Sequence, residues 1–200
     1  MDLIPLPRDI KQKDGTFIIA FDTCILLDTW QNDKDFTTAK LLQKELKSVT
    51  TFKLPIKKVL DKEGDYKENC IFFQYDEAQA GLQTYRLTVS PTSIAIMAGS
   101  SNGFRYGAAT LFQLCKTMHS EIGCMEIYDE PSYLNRGYML DVSRGRIPTM
   151  ENLKSLVDQL VRYKINQLQL YMEDCLRIEG LEEVWSQTDP FTPEEIMELD

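Results

Sequence analysis

The chain has 200 residues, 43% hydrophobic and 26% charged, a soluble globular composition with room for one large domain or two small ones. Its 22 Lys and Arg against 31 Asp and Glu give a formal charge of -9, which repels nucleic acid and anionic membrane surfaces, and no segregated basic patch offsets it. The N-terminus "MDLIPLPRDIKQKDGTF" has no basic segment leading into an apolar one, and nowhere do about 18 apolar residues run together. As it stands, the chain is expected to carry neither an export signal nor a membrane span.

From residue 1 to about 125 the pattern alternates between strand and helix. "TFIIAF" and "CILLD" predict short strands, and "DFTTAKLLQKELKSV" predicts an amphipathic helix with Phe36, Ala39, Leu42 and Leu46 on one side. The basic run "FKLPIKKVL" at 52–60 alternates Lys with apolar residues, as a solvated strand face does. "CIFFQY" is a further strand. In "YRLTVSPTSIAIMA" the residues Tyr85, Leu87 and Val89 alternate with polar ones, Pro91-Thr92 turns the chain, and Ile94 and Ile96 resume the alternation of a hairpin. "GSSNGFRYGAATLFQLC" opens with turn residues and becomes helical, with Phe104, Ala108, Leu111, Phe112 and Cys115 at spacings of three and four. Gly99, Gly103 and Gly107 fit neither the dinucleotide fingerprint nor the P-loop, and are expected as cap and close-packing glycines.

"IYDEPSYLNRG" separates this α+β unit from the C-terminal third of the chain, giving expected domains of 1–130 and 131–200. "YMLDV" is a nearly continuous apolar run, expected of a strand covered on both faces. "PTMENLKSLVDQLVRYK" predicts a helix capped by Thr149, with Met150, Leu153, Leu156, Val157, Leu160 and Val161 packing inward. "INQLQLYMED" is a second strand, and Thr192-Pro193-Glu194-Glu195 is a capping box opening a further helix. The order strand, helix, strand, helix predicts parallel strands joined by a crossover.

Cys24, Cys70, Cys115, Cys124 and Cys175 are odd in number, widely spaced and without a CxxC pair, which suits thiols in a reducing compartment. That places the chain in the cytoplasm, or in the periplasm or outside the cell if a leader has been removed. The single histidine, His119 in "KTMHSEIG", is expected at the surface. With no Cys/His cluster at ligand spacing, a zinc site is not expected, nor is any cofactor, and most Ser/His/Asp and Cys/His mechanisms are excluded.

In parallel α/β architectures ligands sit at the carboxyl ends of the strands. The first strand of the second domain delivers Ser143, Arg144 and Arg146 to that rim, and the second delivers Glu173 and Asp174. Arg offers a fork of donors and Asp accepts, so such a set can fix the hydroxyls of a polar ligand. A structural salt bridge between the two loops is the other open reading. Asp141, inside the strand, is expected to be buried and paired with Arg136 or Arg162.

"RGYMLDVSRGRIPTMENLKSLVDQLVRYKINQLQLYMED" resembles the start of the catalytic barrel of family 20 glycoside hydrolases, the β-N-acetylhexosaminidases. Their pattern is RG-x-x-x-D-x-SR-H, a helix, then K-x-N and an Asp-Asp ending. "IYDEPSYLNRG" resembles the lead into that barrel, and "YRLTVSPTSIAIMAGSSNGFRYGAATLFQL" the end of the family's small non-catalytic domain. "EEVWSQTDPFTPEEIMELD" is similar to bacterial members. Two departures are Gly145 in place of the frequent histidine and "YMED" in place of His-x-x-Asp-Asp.

The resemblance implies an N-terminal α+β domain (a mixed sheet with helices) followed by the first βαβα segment of a truncated (β/α)8 barrel, α/β in class. It implies that Arg144 holds the 3- and 4-hydroxyls of a terminal N-acetylhexosamine, and that Asp174 supports the acid machinery from the second strand. Glu173, Arg146 and Asp141 are candidates for holding these two in place, while Lys164 and Asn166 match a structural Lys-x-Asn. The implied activity is exo-acting removal of terminal N-acetylhexosamine from glycans, with retention and with the sugar's own 2-acetamido oxygen as nucleophile. The family's catalytic Asp-Glu pair follows the fourth barrel strand, and a full barrel takes about 250 residues. The expectation is therefore an N-terminal portion of such an enzyme, inactive by itself. Glu194 and Glu195 are capping residues rather than substitutes for the pair. A second chain or dimer covering the open barrel edge, or a rebuilt sheet, would be the other ways to complete the fold. The alternative functions are a non-catalytic carbohydrate-binding or protein-interaction module, and a piece with no activity of its own.

Overall fold

The structure is a computed structural model that describes residues 2–28, 32–59 and 68–199. The chain divides into two compact units, Met1–Leu134 and Asn135–Asp200. Leu60 and Asp200, the last residues of two stretches expected as strand and helix, lie outside the described residues.

The first unit is built on strands β1 (Asp9–Ile18), β2 (Cys24–Leu27), β3 (Ile56–Lys58), β4 (Cys70–Tyr75), β5 (Tyr85–Val89), β6 (Ser93–Ala98) and β7 (Glu121–Asp129), with helices α1 (Asp33–Thr50) and α2 (Ser101–Met118). The strands form one sheet in the order β1-β7-β5-β6-β4-β2-β3. Pairing is antiparallel from β1 to β6 and parallel from β6 to β3. Apolar runs mark the parallel part: all four residues of β2 and the first four of β4 are buried, because side chains on both faces are covered.

One face carries the main core. Ile25, Leu27, Ile71, Phe73, Leu87, Ile94 and Ile96 from the strands meet Ala39, Leu42 and Leu46 of α1 and Phe104, Leu111 and Leu114 of α2. Phe73 and Phe104 stack with ring centroids 5.2 Å apart. The opposite face holds a smaller cluster of Cys24, Leu26, Cys70, Phe72 and Ala95. Gly103 and Gly107 let α2 lie close to the sheet: a Cβ on Gly103 would fall 2.3 Å from the Thr84 carbonyl oxygen, and one on Gly107 2.5 Å from Ile96 Cγ2.

Several expectations change. Phe36 is 45% exposed, and α1 turns Asp35, Thr38 and Glu45 inward beside its apolar residues. The helix begins earlier than its apolar period suggests because Asn32 caps it, accepting from Lys34 N and Asp35 N while Asp35 accepts from Asn32 N. β1 starts at Asp9 rather than at Thr16; its register shifts between Gln12 and Thr16, where Gly15 takes φ +109°. As an edge strand it is mostly exposed, so it needs no apolar period. β7 has no counterpart among the elements expected from sequence, although it pairs with both β1 and β5. Lys57 and Lys58 of β3 are exposed, as the basic run suggested, and so is His119.

The second unit contains β8 (Gly137–Asp141), α3 (Met150–Arg162), β9 (Gln167–Tyr171) and two short helices, α4 (Glu182–Trp185) and α5 (Pro193–Met197). β8 and β9 are parallel neighbours, in register from Gly137↔Gln167 to Asp141↔Tyr171. Thr149 caps α3 by accepting from Asn152 N, and Thr192 with Glu195 forms the capping box of α5. At the strand starts Arg136 Nε donates to Lys164 O at 2.7 Å and Arg136 N to Asn166 Oδ1 at 2.8 Å, so Lys164 and Asn166 knit β8 to β9.

Val142, Leu153, Cys175 and Phe191 form this unit's core, flanked by Leu140, Met150, Leu170 and Ile196. β8 is not covered on both faces: Tyr138 and Met139 are 44% and 58% exposed. Of the expected α3 stripe only Leu153 is fully buried. Two strands and one three-turn helix enclose one thin layer of side chains.

Candidate functional site

β8 and β9 end side by side, at the Asp141↔Tyr171 pair, and Val142 N donates to Tyr171 O at 3.1 Å. Beyond this pair the Asp141 carboxylate folds the next residues back. Its Oδ1 accepts from Ser143 N at 3.0 Å and from Arg144 N at 3.3 Å, an Asx-type turn. Gly145, at φ +81° with open space around it, lets the loop leave this turn. From the β9 side, Glu173 N donates to Ser143 Oγ at 2.6 Å, which ties the two loops together.

The result is a cluster around one guanidinium. Arg144 Nη2 donates to Glu173 Oε1 at 3.3 Å, and Nη1 lies 3.5 Å from Asp141 Oδ2. Its Cζ stands 5.3 Å from the centre of the Tyr171 ring. The Tyr171 hydroxyl donates to the same Glu173 Oε1 at 2.7 Å. That hydrogen bond, reinforced by the carboxylate's charge, raises the Tyr171 phenol above the ordinary tyrosine range, so it stays a donor. Arg144 and Glu173 remain 69% and 52% exposed, and an ion pair that open to water contributes only about 0–1 kcal/mol. At that exposure the pair orients the guanidinium while adding little to stability, and the outer side of both groups faces solvent.

Asp141 departs from expectation. Its side chain is 32% exposed rather than buried, and its cationic partner is Arg144 instead of Arg136 or Arg162. The turn it must cap places it at the strand's open end. Arg144, Asp141 and Glu173 are brought together; Asp174 and Arg146 are not. Asp174 gives its carbonyl to Thr188 Oγ1 at 2.9 Å, and its carboxylate has no hydrogen-bond or ion-pair partner among the described residues. Arg146 is exposed and contacts none of these groups. Tyr171 was missed from sequence, where an aromatic residue closing a strand reads as core. The available signal was its spacing of two from Glu173, which puts both side chains on one side of an extended chain. Among the described residues no group of three His, Cys, Asp or Glu could hold a metal ion. The cluster offers donors and acceptors for hydroxyl groups.

The model of glycosyl hydrolase family 20, domain 2, matches residues 1–130. The chain belongs to glycosyl hydrolase family 20. It is 41% identical over 93 residues to a β-hexosaminidase of Akkermansia muciniphila, a match covering 45% of this chain and 19% of that protein. With a β-hexosaminidase of Porphyromonas gingivalis it shares 27% identity over 184 residues, 87% of this chain and 23% of the relative. The chain thus spans about a fifth to a quarter of these family 20 relatives.

Among solved structures, the family 20 exo-β-N-acetylglucosaminidase of Vibrio harveyi, in complex with N-acetylglucosamine, matches 98% of this chain and 33% of its own length, at 26% identity and TM-score 0.80. A Streptomyces plicatus β-hexosaminidase has the same fold over 98% of this chain, at 24% identity and TM-score 0.83.

Proposed function

We propose that this family 20 chain supplies the sugar-binding share of a β-N-acetylhexosaminidase site, with β8-α3-β9 as the opening segment of its catalytic barrel. The observation that carries the reading is Arg144 at the carboxyl end of a parallel strand, fixed between Asp141 and Glu173 with donors still facing outward. The names of the family 20 relatives support the substrate class.

In this reading Arg144 donates to two neighbouring hydroxyls of a terminal N-acetylhexosamine, and the unpartnered Asp174 carboxylate turns toward the reacting end. Hydrolysis in the substrate-assisted manner further requires a general acid for the leaving oxygen and a carboxylate that steadies the acetamido group as it attacks the anomeric carbon. No residue of the rim cluster is assigned either task. These 200 residues are therefore expected to bind the sugar without turning it over.

Titration with N-acetylglucosamine to millimolar concentration, followed by backbone amide NMR, tests this. Shifts clustered at 141–146 and 171–174, and lost in Arg144→Ala, are the expected result. An unchanged spectrum, or shifts that survive Arg144→Ala, would sink the proposal. A chromogenic N-acetyl-β-glucosaminide should release no chromophore when incubated with the chain alone.

A further inference from the structure

Building on the sugar-binding reading, we propose that Tyr171 is the positioning residue that sets the Arg144 guanidinium. Glu173 is then the acceptor beside it, and together the three read adjacent hydroxyls of an uncharged sugar.

Arg144 follows a turn and is 69% exposed, a setting in which a long side chain ordinarily samples many rotamers. Here it is held on three sides. Asp141 approaches Nη1 at 3.5 Å, Glu173 takes Nη2 at 3.3 Å, and the Tyr171 ring lies under Cζ at 5.3 Å. Two of these holds run through Tyr171. Its ring faces the guanidinium carbon, and its hydroxyl, 2.7 Å from Glu173 Oε1, holds the carboxylate that takes the arginine. Tyr171 itself is anchored by its place in the last register pair of β8 and β9. The chain of support therefore runs from sheet to ring, from hydroxyl to carboxylate, and from carboxylate to guanidinium. Order established before the ligand arrives is order the ligand need not impose, which raises affinity.

The same geometry sets the ligand's chemistry. A guanidinium has five N–H donors, and the two carboxylates face one on each terminal nitrogen. At 69% exposure the guanidinium keeps further N–H donors toward solvent. Glu173 receives both Arg144 and Tyr171 on Oε1, leaving Oε2 as an acceptor within the same cluster. One hydroxyl can accept from Arg144 while its neighbour donates to Glu173. Two carboxylates already balance the single arginine, so a phosphate or carboxylate ligand meets net repulsion rather than a cationic clamp. A neutral diol meets none.

The experiment uses the full chain, labelled with 15N and 13C, as wild type, Tyr171→Phe, Tyr171→Leu and Glu173→Gln. The Nε–Hε heteronuclear NOE of Arg144 reads the order of the guanidinium directly. A rigid signal in the wild type, loosened in Tyr171→Phe and lost in Tyr171→Leu, with the cross-strand amide NOEs between β8 and β9 retained, is the expected result. N-acetylglucosamine affinity should fall about two- to fivefold in Tyr171→Leu, the range an exposed cation–π contact covers. Equal order of Arg144 in wild type and Tyr171→Leu would overturn the positioning role. Inorganic phosphate shifting Arg144 as strongly as the sugar would overturn the uncharged-ligand assignment. If Arg144 order tracks Tyr171 while the sugar moves no signal, the positioning role stands and the proposed glycan site falls.

Discussion

Gly103 sits in α2 where a Cβ would lie 2.3 Å from a backbone oxygen of Thr84 and 2.8 Å from Ala98 Cβ, so neither neighbour can swing aside. Gly103→Ala should force the helix off the sheet and destabilise the unit by about 1–3 kcal/mol, a loss that urea unfolding would measure. Tyr85 tests a different interaction. Its hydroxyl shares a hydrogen bond with Thr110 at 2.7 Å and donates to Asp129 at 3.2 Å, and burial, then the Asp129 charge, holds its phenol well above the ordinary tyrosine range. A pKa raised by folding gives stability that is fully present below about pH 10 and lost as pH rises through the folded value. Unfolding free energies measured from pH 8 upward should fall less steeply in Tyr85→Phe than in the wild type. At this scale the sequence was half legible. Arg144 could be placed from its position after a strand, because strand ends deliver loops to the rim. Phe36 and Asp141 were misjudged, because residue type predicts average burial while the surroundings decide the individual case.

Elements were legible where one period dominated. β4 and the β5-β6 hairpin derive from apolar runs and alternation, and α1, α2 and α3 from spacings of three and four. The first part of β1 escaped because an exposed edge strand buries little and its residues 9–15 are mostly polar. β7 escaped because Gly123 and its charged residues interrupt an alternation that its two neighbours nonetheless enforce. The start of α1 shows how much a cap decides. Asn32 accepts from two helix amides, and its Nδ2 donates to Ser101 Oγ at 3.2 Å, at the start of α2. Asn32→Ala should cost about 1 kcal/mol and fray the first turn of α1, which amide exchange at residues 33–36 would report.

Across the whole molecule, the contrast between the units comes from how each closes its layers. Among the described residues of Met1–Leu134, seven strands with two 18-residue helices enclose a continuous core, whereas the parallel pair β8-β9 leaves Tyr138 and Met139 exposed. A polypeptide of residues 1–134 should therefore unfold cooperatively by itself, and one of residues 135–200 should not; circular dichroism melts of the two pieces would check this. The family 20 pattern was legible because its residues lie at strand ends, where spacing survives changes in packing. The part played by Tyr171 depends on a distance that no spacing supplies. The central claim is that the rim around Arg144 holds a terminal N-acetylhexosamine. It is tested most directly by a crystal structure of the 200-residue chain grown with N-acetylglucosamine. Sugar hydroxyls within about 2.7–3.2 Å of the Arg144 guanidinium and of Glu173 are the predicted result. A sugar bound elsewhere, or a rim empty at saturating concentration, would contradict it.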